Sequence, residues 1–133
     1  MYSRPISALI QIVDQHDQPT GQATKQEAWD KGLIHRVVRI MITNQAGDVL
    51  LQHRTPTKDI FPDCWDSAAA GHVDAGEDYS TAAQREMQEE LGFSDIPIEL
   101  HGKYFTSEVW QGHQFNRFCQ FYVAMSDKTP TKL

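Results

Sequence analysis

Cysteine, positive charge and long hydrophobic runs are all scarce in this sequence of 133 residues. Its two cysteines, Cys64 and Cys119, lie far apart and in no C-x-x-C spacing, which argues against a disulfide framework or a zinc site. No apolar run approaches the roughly 18 residues of a membrane span. Gln11 and Asp14 interrupt the N-terminal apolar segment too early for a signal peptide. We therefore expect a cytoplasmic protein with no membrane partner.

The charge balance is acidic. Twelve Lys and Arg residues against 18 Asp and Glu residues give a formal net charge of -6, so no general basic surface attracts a nucleic-acid backbone. We expect no nucleic-acid partner. The hydrophobic share of 40% is that of a globular protein, and the length fits one domain covering residues 1–133. A protein of this charge that handles phosphates needs cations or a local group of basic side chains.

Apolar periodicity predicts a mixed order of strands and helices, and hence one α/β or α+β domain. Residues 14–21 are expected to form a polar turn, and residues 44–48 a hairpin turn. The second helix has Asp78 as its N-cap and ends at Gly92. Strands are predicted at 6–13, 37–42, 49–51, 96–110 and 115–125, and helices at 23–31 and 79–91.

Three glutamates share one side of the second predicted helix. At about 100° per residue, Glu86, Glu89 and Glu90 fall within an arc of about 100°. This arc borders the apolar stripe of the helix instead of opposing it, so the carboxylates should point along the protein surface or into a cleft. Like charges at this spacing repel unless a cation lies between them, and Mg²⁺ suits oxygen ligands and a phosphate substrate. A solvated acidic helix is the alternative for an isolated E-x-x-E-E.

The surrounding residues 71–93 give these glutamates a specific context. They read GHVDAGEDYSTAAQREMQEELGF and resemble the Nudix box, G-x5-E-x7-R-E-U-x-E-E-x-G-U with U apolar. Seven positions of this motif allow a single amino acid, and a random sequence segment would match all seven with a probability of about one in 10⁸. Every fixed position is matched, by Gly71, Glu77, Arg85, Glu86, Met87, Glu89, Glu90, Gly92 and Phe93.

The resemblance implies a fold and a reaction. The fold is a Nudix-type α/β/α sandwich with a mixed sheet. The reaction is hydrolysis of a diphosphate linkage in a nucleoside diphosphate derivative or similar small molecule, with Mg²⁺ as cofactor and Mn²⁺ as a substitute. The implied metal ligands are the backbone carbonyl of Gly71 and the side chains of Glu86, Glu89 and Glu90.

The resemblance also implies roles for the other box residues. Arg85 belongs with the three glutamates to the catalytic group, and its salt bridge to Glu77 fixes the loop against the helix. Gly76 gives the loop backbone freedom, and Gly92 ends the helix. Glu86 is the first choice for the base that accepts the proton of water. Glu108, outside the box, is the alternative base.

Residues 33–72 extend the resemblance to the branch that includes type I isopentenyl-diphosphate isomerases. Arg54 and Lys58 match this branch and are candidate substrate-binding residues. His35 and His72 match metal-ligand positions of the isomerases, although a lone histidine more often satisfies local hydrogen bonds. The other shared elements are Arg36, Leu50-Leu51-Gln52, Phe61-Pro62, Trp65 and Gly71.

Departures from the isomerases favour hydrolysis. The isomerase cysteine before the Gly-His pair is Ala70 here, and a methyl group cannot transfer a proton at an allylic carbon. An isomerase histidine seven residues before His35 falls at Ala28, and the E-N-E stretch becomes residues 115–117, Phe-Asn-Arg. The alternatives are an isomerase-like enzyme and a Nudix domain that only binds a nucleotide.

The family fold adds a strand and a helix after the last predicted strand, and no such helix is predicted before Leu133. Two explanations stay open. A second copy of the chain covers that sheet face in a homodimer, or the sequence is part of a longer chain.

Overall fold

The computed structural model describes residues 8–53, 65–128 and 130. Most of the predicted elements form, with somewhat shifted ends. In chain order, the described elements are β1 (Leu9–Val13), β2 (Pro19–Thr24), α1 (Lys25–Lys31), β3 (His35–Thr43), β4 (Val49–Leu50), β5 (Gln52–His53), β6 (Trp65–Asp66), β7 (Ala69–His72), α2 (Tyr79–Leu91), β8 (Ile98–Trp110) and β9 (His113–Met125).

One mixed sheet organises these elements. Its strand order is β2-β1-β3-β9-β8, and β4 and β7 pair with β3 off this path. The β3–β9 pair is parallel, whereas the other pairs of this sheet are antiparallel. Strands β5 and β6 form a separate two-stranded sheet. The mixed sheet confirms the expected fold class.

The two helices lie on opposite faces of this sheet. Because side chains alternate along a strand, the β3 residues Val38 and Ile42 point to one face, where they share a buried cluster with Met87 of α2. On the other face, the Trp29 ring of α1 packs edge-on against Phe115 of β9, with 5.5 Å between ring centroids. The arrangement is the predicted α/β/α sandwich.

Local capping explains the bounds of α2. The Asp78 side chain accepts a hydrogen bond from the Thr81 amide at 2.8 Å, as an N-cap does. Gly92 takes a φ of 76°, which favours glycine, and its amide bonds the carbonyls of the last turn. Both capping predictions are confirmed. The fixed ends set the rotation of α2, and hence the direction of its glutamates.

The prediction for residues 14–24 was wrong in part. Residues 19–24 form β2, antiparallel to β1, instead of continuing a turn and starting a helix. Helix α1 begins two residues later than predicted, because the Thr24 side chain caps it by accepting from the Glu27 amide at 3.1 Å. Only Ala23 of β2 is buried, so this edge strand lacks the apolar alternation by which strands are recognised.

A buried aspartate ties the β1–β2 turn to the rest of the sheet. The Asp17 carboxylate accepts hydrogen bonds from Arg36 at 2.7 Å, from Lys103 at 2.7 Å and from the Tyr79 hydroxyl at 2.8 Å. These partners belong to β3, β8 and α2, so one carboxylate links four parts of the fold. Across the described ranges, no helix is long and apolar enough to cross a membrane.

Candidate metal and substrate site

The Glu86 carboxylate lies directly against the backbone of Gly71. A Cβ atom added to Gly71 would lie 2.2 Å from the Cδ atom of Glu86, so only glycine leaves room for the carboxylate at its present place. Glu86 is only 5% exposed. The sequence therefore brings the first residue of the box and its first helical glutamate into contact, across the β7–α2 interface.

Glu90 is the second carboxylate at this place. Its Oε2 accepts a hydrogen bond from the Ala70 amide at 3.2 Å. Burial raises the pKa of Glu86, and the hydrogen bond with Glu90 and the charge of Arg85 oppose that rise. Two carboxyl groups in hydrogen-bond contact are stable only when a proton or a cation lies between them. The Glu86–Glu90 pair is therefore suited to hold a cation.

Arg85 joins the box loop to the helix. Its guanidinium donates to both carboxylate oxygens of Glu77, at 2.8 and 2.9 Å, so the ion pair expected from the sequence forms. It also donates to Glu86 at 2.6 Å, to Glu89 at 3.2 Å and to the His72 carbonyl at 2.9 Å. Burial alone would lower the pKa of Arg85, but Glu77 and Glu86 raise it above its ordinary value. Arg85 is therefore a permanent cation that orients three glutamates.

These donors can be tested against Mg²⁺. Within residues 8–53 and 65–128, no group of three or more His, Cys, Asp or Glu side chains converges on one point. Glu86 and Glu90 both lie at the backbone of Ala70 and Gly71, whereas Glu89 accepts a hydrogen bond from Arg85 at 3.2 Å. Mg²⁺ is commonly bound by one or two carboxylates, with water and substrate phosphates as the remaining ligands. The residues present fit that pattern, and Glu89 as a third ligand stays a prediction.

A residue that sequence reasoning missed holds the box loop. The Gln11 side chain accepts from the Gly76 amide at 2.9 Å and donates to the Gly21 carbonyl at 2.9 Å. Its backbone amide donates to the Val73 carbonyl at 3.0 Å. Gln11 is buried, although it interrupts an apolar strand. That interruption was the available signal, because a buried polar side chain normally has specific partners.

Three candidate residues lie outside the box. Arg54 and Lys58 lie outside the described residues. Glu108 lies on β8 and is 45% exposed, with its carboxylate 3.6 Å from the Arg117 guanidinium. By the alternation of β9, Arg117 lies on the sheet face opposite α2, as Phe115 does. The role of Glu108 as a base stays a prediction.

Aromatic rings surround His35 and His72, the two histidines that match metal-ligand positions of the isomerases. The His35 and His72 rings are 5.4 Å apart, and Trp29 packs against both His72 and Phe115. Burial lowers the pKa of His35 to about 4, so its ring is neutral at pH 7. Ala28 and Phe115, at two positions where the isomerases have metal ligands, are both fully buried. The structure places apolar groups there.

The comparison with protein families decides the assignment. The family model described as "NUDIX domain" matches residues 33–132 of this chain. The chain belongs to the Nudix family. The match covers the box, the segment before it and both long strands of the sheet, whereas Gln11 and Asp17 lie outside it.

Similar proteins agree with membership of this hydrolase family. An uncharacterized Nudix hydrolase of Pseudomonas aeruginosa is 40% identical over 119 residues, which are 90% of this chain and 68% of that protein. An isopentenyl-diphosphate Delta-isomerase 2 of Photorhabdus laumondii is 37% identical over 123 residues, 92% of this chain and 69% of that protein. The crystal structure of the Deinococcus radiodurans protein DR0079 superposes with a TM-score of 0.73 at 26% identity, covering 94% and 76% of the two chains. The chain spans from 49% to 68% of the length of the first curated relatives it matches.

Proposed function

We propose that this Nudix domain hydrolyses a diphosphate linkage in a nucleoside diphosphate derivative or a similar small molecule, with Mg²⁺ or Mn²⁺ held by Glu86 and Glu90. One observation carries the proposal. The buried Glu86 carboxylate lies in a space that exists only because residue 71 is glycine, and Glu90 accepts a hydrogen bond from the amide of the preceding residue, Ala70. Structural stability alone does not require such a pair, since two adjacent carboxylates destabilise a fold that lacks a cation between them.

The divalent ion supplies positive charge that offsets the repulsion between a diphosphate and the glutamates. Side chains of the protein supply the orientation of the site and the acceptor for the proton. Arg85 holds Glu86, Glu89 and the box loop in fixed orientations. Water adds to one phosphorus, the bridging P–O bond breaks, and a carboxylate accepts the proton of water. Glu86 is the proposed base, because its buried carboxylate lies against the Gly71 backbone at the proposed site of hydrolysis.

An isomerase-like activity is the alternative that the Photorhabdus laumondii relative raises. Three residues of this chain argue against an isomerase-like activity. Ala70 cannot take part in proton transfer, and Ala28 and Phe115 cannot ligate a metal. A domain that only binds nucleotides does not need an intact box, and this chain retains every fixed glutamate. Hydrolysis is therefore the better supported function.

The test is a substrate panel with purified protein and Mg²⁺ or Mn²⁺, with release of phosphate or nucleotide as the readout. We expect turnover of at least one nucleoside diphosphate derivative and a loss of about 100-fold or more in Glu90→Gln. Glu99→Gln removes an exposed glutamate of β8 and is the matched control, with unchanged turnover. Equal activity of Glu90→Gln and wild type would disprove the mechanism. Incorporation of deuterium from the solvent into isopentenyl diphosphate would favour the isomerase instead.

A further inference from the structure

Two arginines lie on the sheet face opposite α2. Strands β3 and β9 are parallel, with His35 opposite Arg117 and Arg39 opposite Phe121. Side chains of one face recur at every second residue, so the odd-numbered residues of both strands share a face. Phe115, which packs against Trp29, lies on that face near the start of β9, and Arg39 lies on the same face further along β3. Two cations on one face are notable in a chain whose formal net charge is -6.

Arg117 is buried without a close counter-ion. Its side chain is 7% exposed, and in the described part of the chain its single carboxylate neighbour is Glu108 at 3.6 Å. Among the described residues, Arg117 also donates a long hydrogen bond to the Thr106 hydroxyl at 3.4 Å, and its guanidinium lies 5.7 Å from the centroid of the Phe115 ring. By contrast, the partly buried Arg36 has the Asp17 carboxylate at 2.7 Å. Burying a guanidinium is costly unless close partners compensate its charge, and here the compensation is weak.

Arg39 adds a second positive charge to the same region. Burial and the charge of Arg39 both lower the pKa of Arg117, so the two guanidinium groups interact. Both also act electrostatically on Tyr104, which lies on this face opposite Cys119 of β9. Two positively charged side chains therefore share the sheet face on which Tyr104 lies.

Strands β3 and β7 connect this region to the glutamate pair. Arg39 is the direct strand partner of Ala70 in β7. The amide of Ala70 donates to Glu90, and the next residue, Gly71, contacts Glu86. Arg39 is therefore one strand away from the backbone that contacts the glutamates, whereas Arg117 lies on β9, on the other side of β3.

We propose that Arg117 and Arg39 form an anion-binding subsite for the phosphate groups of an organic diphosphate. This inference rests on the proposed function, because it assigns the subsite to the same substrate. Guanidinium groups bind phosphate oxygens through paired charge-assisted hydrogen bonds, which would supply the compensation that Arg117 lacks. Glu108 then acts as the weak counter-ion that the phosphate displaces.

Binding of inorganic diphosphate in the presence of EDTA tests the subsite without hydrolysis. Titration calorimetry should show that Arg39→Met and Arg117→Met each bind about tenfold more weakly than wild type, or worse. Arg117→Lys should restore part of the loss. Glu108→Gln should bind more tightly, because the competing carboxylate is gone. Lys31→Met, which removes an exposed positive charge on α1, is the control and should bind as wild type does.

Folding is checked for each variant by circular dichroism and thermal unfolding. Arg117 is buried, so Arg117→Met can destabilise the fold. Arg39 is only half-buried, and Arg39→Met tests the subsite if Arg117→Met does not fold. Unchanged affinity in a folded Arg39→Met, or an equal loss in Lys31→Met, would overturn the inference. An unchanged or weaker affinity in Glu108→Gln would also count against it.

Failure of the subsite and failure of the proposed hydrolysis give different results. If the protein hydrolyses a diphosphate derivative but Arg39→Met leaves both KM and diphosphate affinity unchanged, the subsite is wrong and hydrolysis stands. If no substrate is hydrolysed but diphosphate binding depends on both arginines, the subsite stands and hydrolysis is wrong. If both hold, Arg39→Met raises KM more than it lowers kcat.

Discussion

The side-chain oxygen of Gln11 accepts a hydrogen bond from the backbone amide of Gly76 at 2.9 Å. This contact joins β1 to the loop of the Nudix box, next to two backbone hydrogen bonds, from Gln11 to Val73 and from Ala75 to Leu9. Gly76 has a φ of 81°, a conformation that favours glycine and that the hydrogen bond helps to fix. The first strand therefore supports the loop that leads into α2.

We predict that Gln11→Ala lowers both stability and activity. The Gly76 amide and the Gly21 carbonyl lose their side-chain partner, which costs about 1–3 kcal/mol in the free energy of unfolding. Chemical denaturation and steady-state kinetics measure the two effects. Gln22→Ala, on the exposed side of β2, is the control and should change neither. A Gln11→Ala protein as stable and active as wild type would show that the loop needs no support from β1.

Gly71→Ala should separate metal binding from folding. The added methyl group would displace the Glu86 carboxylate, which is the movable end of its side chain, and would leave the backbone unstrained. We expect activity to fall by about tenfold or more while the melting temperature changes by only a few degrees. Gly21→Ala is the matched control, because no atom lies within 4 Å of its added Cβ. Full activity in Gly71→Ala would contradict the close packing of residues 71 and 86.

His35 should make the folded state sensitive to mild acid. Burial lowers the pKa of His35 to about 4 in the folded protein, against an ordinary value of 6.5. The unfolded chain therefore binds more protons between these values, and the stabilising contribution is complete above pH 6.5 and is lost as pH falls toward 4. Denaturation curves between these pH values should show a smaller pH dependence in His35→Asn than in wild type. His101→Asn, at an exposed site of β8, should retain the dependence of wild type. If the stability of His35→Asn depends on pH as strongly as that of wild type, His35 is not the source of the acid sensitivity.

Asp17 should contribute to stability at neutral pH. Burial alone would raise the pKa of Asp17, but the hydrogen bonds from Lys103, Arg36 and Tyr79 lower it below 3.8. Its contribution is therefore present above pH 3.8 and is lost as pH falls through the lowered pKa. Asp17→Asn tolerates the positive φ but loses the charge opposite Arg36, and we expect a cost of about 3 kcal/mol at pH 7. Asp48→Asn, in the exposed β3–β4 turn, is the control. A cost no larger than that of the control would mean that the network is energetically neutral.

Local signals made α2 and its caps predictable from the sequence. Asp78 and Gly92 act within one turn of the helix ends, and the wheel of 79–91 correctly placed the glutamates beside the apolar stripe. A helical wheel gives the direction in which each side chain points, but not the residue that it contacts. It could not indicate that Arg85 contacts both Glu86 and Glu89, or that Glu86 and Glu90 both lie against the backbone of β7.

Contacts between distant segments were not predictable in the same way. Asp17 lies 86 residues from Lys103, and Gln11 lies 65 residues from Gly76. The interruption of an apolar strand marks Gln11 but does not indicate its partner, and the partners become neighbours only through the strand order of the sheet. The pairing of β3 with β9 likewise brings Arg39 and Arg117 to one face, although they are far apart in the chain. The predicted roles of Arg54 and Lys58 fall outside the described residues.

The most direct test of the account is the affinity for Mn²⁺, measured by electron paramagnetic resonance on the folded protein without substrate. Wild type should bind Mn²⁺, and Glu86→Gln and Glu90→Gln should each bind it at least about tenfold more weakly, with Glu99→Gln unchanged. Mg²⁺ should displace the bound Mn²⁺. If both box variants bind Mn²⁺ as tightly as wild type, the glutamate pair beside Gly71 does not hold the metal.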